Sequence, residues 1–210
     1  NVAPAANLGA DQTKNEGALI SLAGTFTDPG AADTFAFLWH VVATNGQAIA
    51  DATTKDFSFT PADNGTYTVT FKVTDDDGGT FTDTLVATVN NVAPQSVSAG
   101  ANRTVNETTP VSFAGAFADP GTADTHTLTW SVAASNGESV PGGSGPSFSF
   151  TPNDNGAYTV TFTVKDDDGG TTSASATVTV NNVAPTANAG PDQTVNEGGE
   201  VTLTGGFTDL

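Results

Sequence analysis

The chain has 210 residues, 23 of them acidic against five basic, a net charge of −18, and neither cysteine nor methionine. Nucleic acid and anionic membrane surfaces are bound through clustered Lys and Arg, so this balance argues against both as partners. Without cysteine there is no disulfide framework and no thiolate zinc site; no apolar run approaches the ~18 residues of a membrane-spanning helix, so direct membrane insertion is not expected.

Asn1-Val2-Ala3-Pro4 opens the chain and returns as Asn91-Val92-Ala93-Pro94 and Asn182-Val183-Ala184-Pro185, a period of about 90 residues. The features between these marks recur in order. Asn15-Glu16 comes first, matched by Asn106-Glu107. Ile20, Leu22, Gly24 and Phe26 then alternate with polar residues, echoed by Val111, Phe113, Gly115 and Phe117 and by Val201, Leu203, Gly205 and Phe207. Asp28-Pro29-Gly30 returns as Asp119-Pro120-Gly121, and Phe37, Trp39 and Val41 as Leu128, Trp130 and Val132.

Farther on, Asp63-Asn64-Gly65 leads into Tyr67, Val69, Phe71 and Val73, and Asp154-Asn155-Gly156 into Tyr158, Val160, Phe162 and Val164. Each copy then carries three aspartates before two glycines, Asp75 to Gly79 and Asp166 to Gly170, and a last alternating segment ending near Val89 or Val180. Period-two alternation marks half-buried strands, and no long segment shows the 3.6-residue period of a helix.

The expected fold is therefore all-β. About seven strands per copy, with turn signals every ~8–12 residues, indicate a β-sandwich with one tryptophan buried on its third strand. The expected domains are repeat 1 over residues 1–90, repeat 2 over 91–181, and the first two strands of a third, incomplete repeat over 182–210. Asp63 and Asp154 precede what read as tyrosine corners, in which a tyrosine hydroxyl satisfies a backbone group, and are assigned to structure on that account. Two strands alone are marginal in water, so the tail is expected either to continue in a longer natural chain, the favoured reading, or to be completed by another chain through strand addition.

The succession of Asn-Val-Ala-Pro, Asn-Glu-Gly, Phe-Thr-Asp-Pro-Gly, a lone Trp, Asp-Asn-Gly-x-Tyr-x-Val and Val-x-Asp-Asp-Asp-Gly-Gly resembles the polycystic-kidney-disease (PKD) repeats. The resemblance covers essentially the whole chain. It implies tandem immunoglobulin-like, PKD-type sandwiches in a head-to-tail array, from a large surface or secreted bacterial protein. Where the family has Trp-Asp-Phe-Gly-Asp-Gly, this chain has Trp39-His40-Val41-Val42 and Trp130-Ser131-Val132-Ala133, which places it in a divergent branch.

On such a sandwich the acids collect at the two poles. Glu16, Asn90 and Asn91 fall at one pole of repeat 1, and Asp28, Asp33, Asp75 and Asp77 at the other. Stacked head to tail, Glu16, Asn90 and Asn91 would face Asp119, Asp124, Asp166 and Asp168 of repeat 2. Glu107, Asn181 and Asn182 would likewise meet Asp209. Carboxylates crowded together repel, and calcium accepts about six to eight oxygen ligands, so these residues are the candidate calcium ligands. The arrangement is similar to the calcium-rigidified junctions of cadherins. Plain solvated turns are the alternative, since Asp-Pro-Gly and Asp-Gly-Gly are ordinary turn formers. The aspartate runs are not EF-hands, because the closing glutamate is replaced by Val86 and Thr177; of each run, the flanking aspartates rather than the middle one are the expected ligands.

Catalysis is not expected. His40 and His126 fall at non-equivalent positions, read as exposed strand residues, and neither has a repeated partner for nucleophilic catalysis. Phe35 and Phe81 could serve a polysaccharide-binding surface, but their counterparts are His126 and Thr172. The sequence thus points to a structural repeat of an extracellular fibre, stalk or adhesin on a bacterial cell. Its partners would be neighbouring repeats of the same or identical chains, with surface glycans as further candidates. The alternative is a polysaccharide- or protein-binding accessory module of a secreted enzyme.

Overall fold

The computed structural model describes residues 1–209, among which strands and turns form and no helix does. The first repeat contains β1 Ala5–Asn7, β2 Gln12–Asn15, β3 Ile20–Ala23, β4 Thr25–Thr27, β5 Phe35–Ala43, β6 Asp56–Phe59, β7 Gly65–Asp75 and β8 Thr80–Asn90. The second contains β9 Gln95–Ser98, β10 Arg103–Asn106, β11 Val111–Ala114, β12 Ala116–Ala118, β13 His126–Ala134, β14 Gly143–Ser144, β15 Ser147–Phe150, β16 Gly156–Asp166 and β17 Thr171–Asn181. A short antiparallel pair, β18 Thr186–Asn188 and β19 Gly206–Thr208, follows.

In the first repeat the larger sheet has the order β2-β8-β7-β5. Trp39 lies opposite Phe71 across β5 and β7, and Val69 opposite Leu85 across β7 and β8, so the alternating apolar residues share one face. The first predicted strand divides. Its start, β1, pairs with β4 in the second layer, and its end, β2, runs parallel to β8 with Asn15 beside Asn90. Asp83 and Asp11 hold the switch between layers, accepting from the Leu8 and Val86 amides at 2.8 and 2.9 Å. The second predicted strand also breaks, at Gly24, where a Cβ would lie 2.6 Å from the Phe71 ring. Gly115 meets Phe162 in the same way, and in both repeats the missing side chain makes room for a core aromatic.

The second repeat follows the same plan, with a β10-β17-β16-β13-β14 sheet and the pairs β11-β15 and β12-β9. Its strand β14 stands where the first repeat has only the isolated bridge Trp39 to Ala52. Each repeat has its own core. Trp39 is wholly buried, stacks on Phe71 at 4.3 Å and donates its indole N–H to the Thr54 carbonyl at 2.9 Å. Trp130 packs on Phe162 at 4.5 Å and donates to the Gly145 carbonyl. The tyrosine corners form as expected: the Tyr67 and Tyr158 hydroxyls reach the Asp63 and Asp154 carbonyls at 2.8 and 2.7 Å.

The last long strand of each repeat ends at Asn90 and Asn181. Compactness groups the chain differently. One unit joins Asn1–Gln95 to the segments Ala118–His126 and Lys165–Thr172; the other contains Ser96–Phe117, Thr127–Val164 and the residues from Ser173 onward.

Candidate functional site

The first compact unit contains, besides the first core, two acidic loops of the second repeat. At its centre stands Glu16, just after β2 in the turn that leads to β3. The parallel pairing of β2 with β8 sets its position, and its amide donates to the Asn90 carbonyl at 3.1 Å. Its Oε1 accepts from the Val92 amide at 2.6 Å. The residue is 2% exposed, and its Oε2 is buried without a hydrogen-bond partner.

Asp63 stands beside it. The backbone of Asp63 serves the tyrosine corner, while its Oδ1 is buried and unpartnered. Next to it, the Ala62 carbonyl accepts the Ala123 amide at 3.0 Å. That bond brings Asp124 to within 4.8 Å of the ligand-capable oxygens of Glu16 and Asp63. Asp124 sits at the end of the Asp-Pro-Gly turn, its amide bonded to the Gly121 carbonyl at 3.2 Å. Its carboxylate lies over Gly121, where any Cβ would come within 2.4 Å of Oδ2. Both of its oxygens are buried and unpartnered.

A second set joins Asp119, Asp124 and Asp166, and a third Asp124, Asp167 and Asp168. Asp119 receives the Gly121 amide on Oδ1, and its Oδ2 lies 2.9 Å from His126 Nε2. Asp166, 3% exposed, receives the Gly170 amide at 2.6 Å and the Asn91 side-chain amide at 3.1 Å. Asn91 Oδ1 is buried without a partner. Asp167 accepts from both the amide and the hydroxyl of Thr125, each at 3.0 Å.

The charges feel one another. Burial, then Glu16, Asp119, Asp63 and Asp167, push the Asp124 carboxyl up to about 7. Burial also raises Glu16, against the Val92 N–H and with help from Asp119 and Asp63, and raises Asp63, with help from Asp168. Asp167 goes the other way, held down chiefly by the Thr125 amide. No sulfur or imidazole enters these sets, so the site offers hard oxygen donors only.

The structure places the sequence candidates unevenly. Glu16, Asp119, Asp124, Asp166 and Asp168 all enter these sets. Asn91 touches the second set by donating its side-chain amide to Asp166, whereas Asn90 has an exposed side chain and only its carbonyl accepts the Glu16 amide. Asp28, Asp33 and Asp75 form a further set, with Asn1 on Asp75 at 3.1 Å as Asn91 is on Asp166. Asp77, Glu107 and Asp209 join no such set among the described residues, and Asn181 and Asn182 have exposed side chains. Glu107 is nonetheless buried like Glu16, and its Oε1 accepts the Val183 amide at 2.7 Å.

Two acids were set aside in the sequence and belong here. Asp63 reads as a residue of the tyrosine corner, a role that uses only its carbonyl and leaves its carboxylate Oδ1 without a partner. Asp167, a middle aspartate, reaches Asp124 because Thr125 turns its carboxylate toward that loop. Two other expectations are corrected. His126 is half-buried against Asp119, whereas His40 is exposed and pairs with Asp51. Phe35 is part of the first core, 4.7 Å from Phe26, so only Phe81 of the two proposed glycan-facing aromatics is exposed.

The family description "PKD domain" matches residues 1–89 and 91–181. No curated protein matches the chain. Among solved structures, the fibronectin(III)-like modules of Clostridium thermocellum CbhA are 15% identical, with 84% of this chain and 93% of that chain covered and a TM-score of 0.34. SGBP-B of the Bacteroides ovatus mixed-linkage glucan utilization locus, solved with a mixed-linkage heptasaccharide, is 18% identical over 100% of this chain and 61% of that one, TM-score 0.34. The insect immune protein hemolin is 17% identical over 85% and 47%, TM-score 0.44. The chain spans less than two thirds of the latter two.

Proposed function

The chain belongs to the PKD-domain family over both of its full repeats, and from that premise we propose that it is a structural segment of an extracellular fibre, stalk or adhesin on a bacterial cell, its successive repeats joined through bound calcium. PKD domains occur in extracellular proteins, and no helix here is long and apolar enough to cross a membrane.

The observation that carries the reading is the set of buried oxygens without partners: Glu16 Oε2, Asp63 Oδ1, Asn91 Oδ1 and both carboxylate oxygens of Asp124. An ionised carboxylate removed from water without a partner costs several kcal/mol, and four of these oxygens belong to the carboxylates of one set, Glu16, Asp63 and Asp124. A cation bound there removes the penalty for those three carboxylates together. Oxygen-only donors from several loops suit calcium, which accepts about six to eight oxygens in flexible geometry, better than magnesium, which demands a near-ideal octahedron. The same reading extends to Asp28, Asp33 and Asp75, where Asp28 Oδ2 is likewise buried and unpartnered. The accessory glycan-binding role would rest on Phe81 alone.

Thermal unfolding of the chain in calcium, in magnesium and in chelator tests the proposal. Calcium at about 100 times its dissociation constant should stabilise the folded state by about 2.7 kcal/mol, raising Tm by several degrees, and Asp124→Asn should remove most of that gain. Superimposable melts in calcium and chelator overturn it.

A further inference from the structure

We infer that the cluster around Asp124 holds two divalent cations, with the Asp124 carboxylate bridging them. The inference rests on the reading of this cluster as a cation site and adds its stoichiometry and the identity of the shared ligand. An acidic cluster alone would not carry it. The independent observation is Glu16, 2% exposed, whose Oε2 has no partner and whose carboxylate comes within 4.8 Å of ligand-capable oxygens of Asp63 and Asp124.

One calcium ion with ligands at about 2.3–2.6 Å gathers oxygens no more than about 5 Å apart. The acids here do not form one such group. They divide into the set Glu16, Asp63, Asp124 and the set Asp119, Asp124, Asp166, and Asp124 is the member common to both. A bridging carboxylate offers one oxygen to each ion, and both Asp124 oxygens are buried and unpartnered, with every lone pair available.

The remaining ligands of the second ion differ in character from those of the first. Asp119 accepts the Gly121 amide on Oδ1 and has His126 Nε2 at 2.9 Å from Oδ2, and Asp166 accepts the Gly170 amide on Oδ1 and the Asn91 side-chain amide on Oδ2, contacts of the outer-shell kind that orient a carboxylate while leaving each oxygen a second lone pair for a metal. Asn91 donates its Nδ2 to Asp166 and keeps Oδ1 buried and unpartnered, a neutral oxygen available beside the acids. Charge supports the count. The two sets contain five different carboxylates; a single divalent ion leaves three negative charges crowded together, whereas two ions leave one. The third set adds nothing to the count, because Asp167 and Asp168 are exposed and keep their hydration, unlike the buried and half-buried acids of the other two sets.

Equilibrium dialysis of the whole chain against radioactive calcium, with the ions bound per chain read as differences from wild type, decides the matter. Glu16→Gln should lose one ion, Asp119→Asn should lose one, and the two together should lose two. Asp124→Asn alone should lose two. If Asp124→Asn loses only one, or the double variant loses no more than either single, one ion occupies the cluster and the bridging role is wrong. If none of the variants loses calcium, the cation reading itself falls with it. Tryptophan emission of each variant reports folding. Should Glu16→Gln or Asp119→Asn unfold, Asp63→Asn and Asp166→Asn remove the same respective ions and are expected to give the same counts.

Discussion

Glu16 and Glu107 are the same residue of the same motif, and the structure treats them alike up to one atom. Each follows an Asn at the end of a strand, donates its amide to the carbonyl of Asn90 or Asn181, and receives the amide of Val92 or Val183 on Oε1. Both are buried. Among the described residues, only around Glu16 do two further acids bring their oxygens within 4.8 Å, and its Oε2 is buried with no donor. The repeat's own fold therefore builds the glutamate seat, and what makes it a site is the pair Asp63 and Asp124, delivered by the bond between Ala62 and Ala123. The seat is a property of the fold, and the charge cluster a property of what packs on it.

The cores bracket that comparison, because they should not distinguish the two repeats. Truncating a buried aromatic costs about 3–5 kcal/mol, so Trp39→Ala and Trp130→Ala should each destabilise their own repeat by that amount. Urea unfolding followed by far-ultraviolet circular dichroism measures it, while the remaining tryptophan reports the repeat left intact. A loss in one repeat several-fold smaller than in the other would break the equivalence of the two cores.

The next largest effect should separate the glutamates directly. Gln can still accept the Val92 or Val183 amide, so the substitution removes charge and little else. In saturating calcium, Glu16→Gln should forfeit a large part of the ~2.7 kcal/mol of ligand stabilisation. In chelator the same change should raise Tm, since it relieves repulsion from Asp63 and Asp124. Glu107→Gln should move Tm little in either buffer. Differential scanning calorimetry of the two variants gives the four values, and equal calcium responses would contradict the contrast drawn between the seats.

A proton sharpens the same contrast without metal. The Asp124 carboxyl is raised from 3.8 to about 7 in the folded state, so between these values the folded chain binds more protons than the unfolded one. Its contribution to stability is complete below about pH 4 and is lost as the pH rises toward 7. Glu16 and Asp63, also raised, act in the same direction; Asp167, lowered, contributes oppositely, its stabilisation vanishing as the pH falls. Denaturant midpoints in chelator should therefore fall from pH 5 to pH 7.5 in the wild type, and the slope should flatten in Asp124→Asn. An unchanged slope in the variant would show that Asp124 is not the titrating group.

The smallest expected effect concerns the two corner aspartates. Asp154 accepts only the neighbouring Asn155 amide through its side chain, at 2.8 Å, and Asp154→Asn should stay within about 0.5 kcal/mol of wild type, as surface changes do. Asp63→Asn should be as mild in chelator yet weaken the calcium response, a difference that side-by-side melting curves resolve.

Much of this molecule was legible in its residue order. Strict alternation at Tyr67 to Val73 and Tyr158 to Val164 can bury one face only as a strand, because successive side chains point to opposite sides. The lone tryptophans, the tyrosine corners and the recurrence of Asn-Glu and Asp-Pro-Gly at equal spacing followed from the same reading, as did Glu16, Asp119, Asp124 and Asp166 as acids of the loops. Local pattern determined these because each depends on neighbours a few residues away. What the tertiary structure decided were the encounters between distant segments. Asp63 reads as a corner residue in the sequence, and in the fold the loop bearing Asp124 packs against it. Phe35 looked like a surface aromatic and packs on Phe26, and His126 gained a buried carboxylate that His40 lacks. Gly24 looked like one more position of a strand and proved to be the gap that Phe71 fills. Periodicity states which face a side chain takes. Which other side chains meet it there, and whether a buried oxygen finds a donor, depends on packing between segments that only the folded chain brings together.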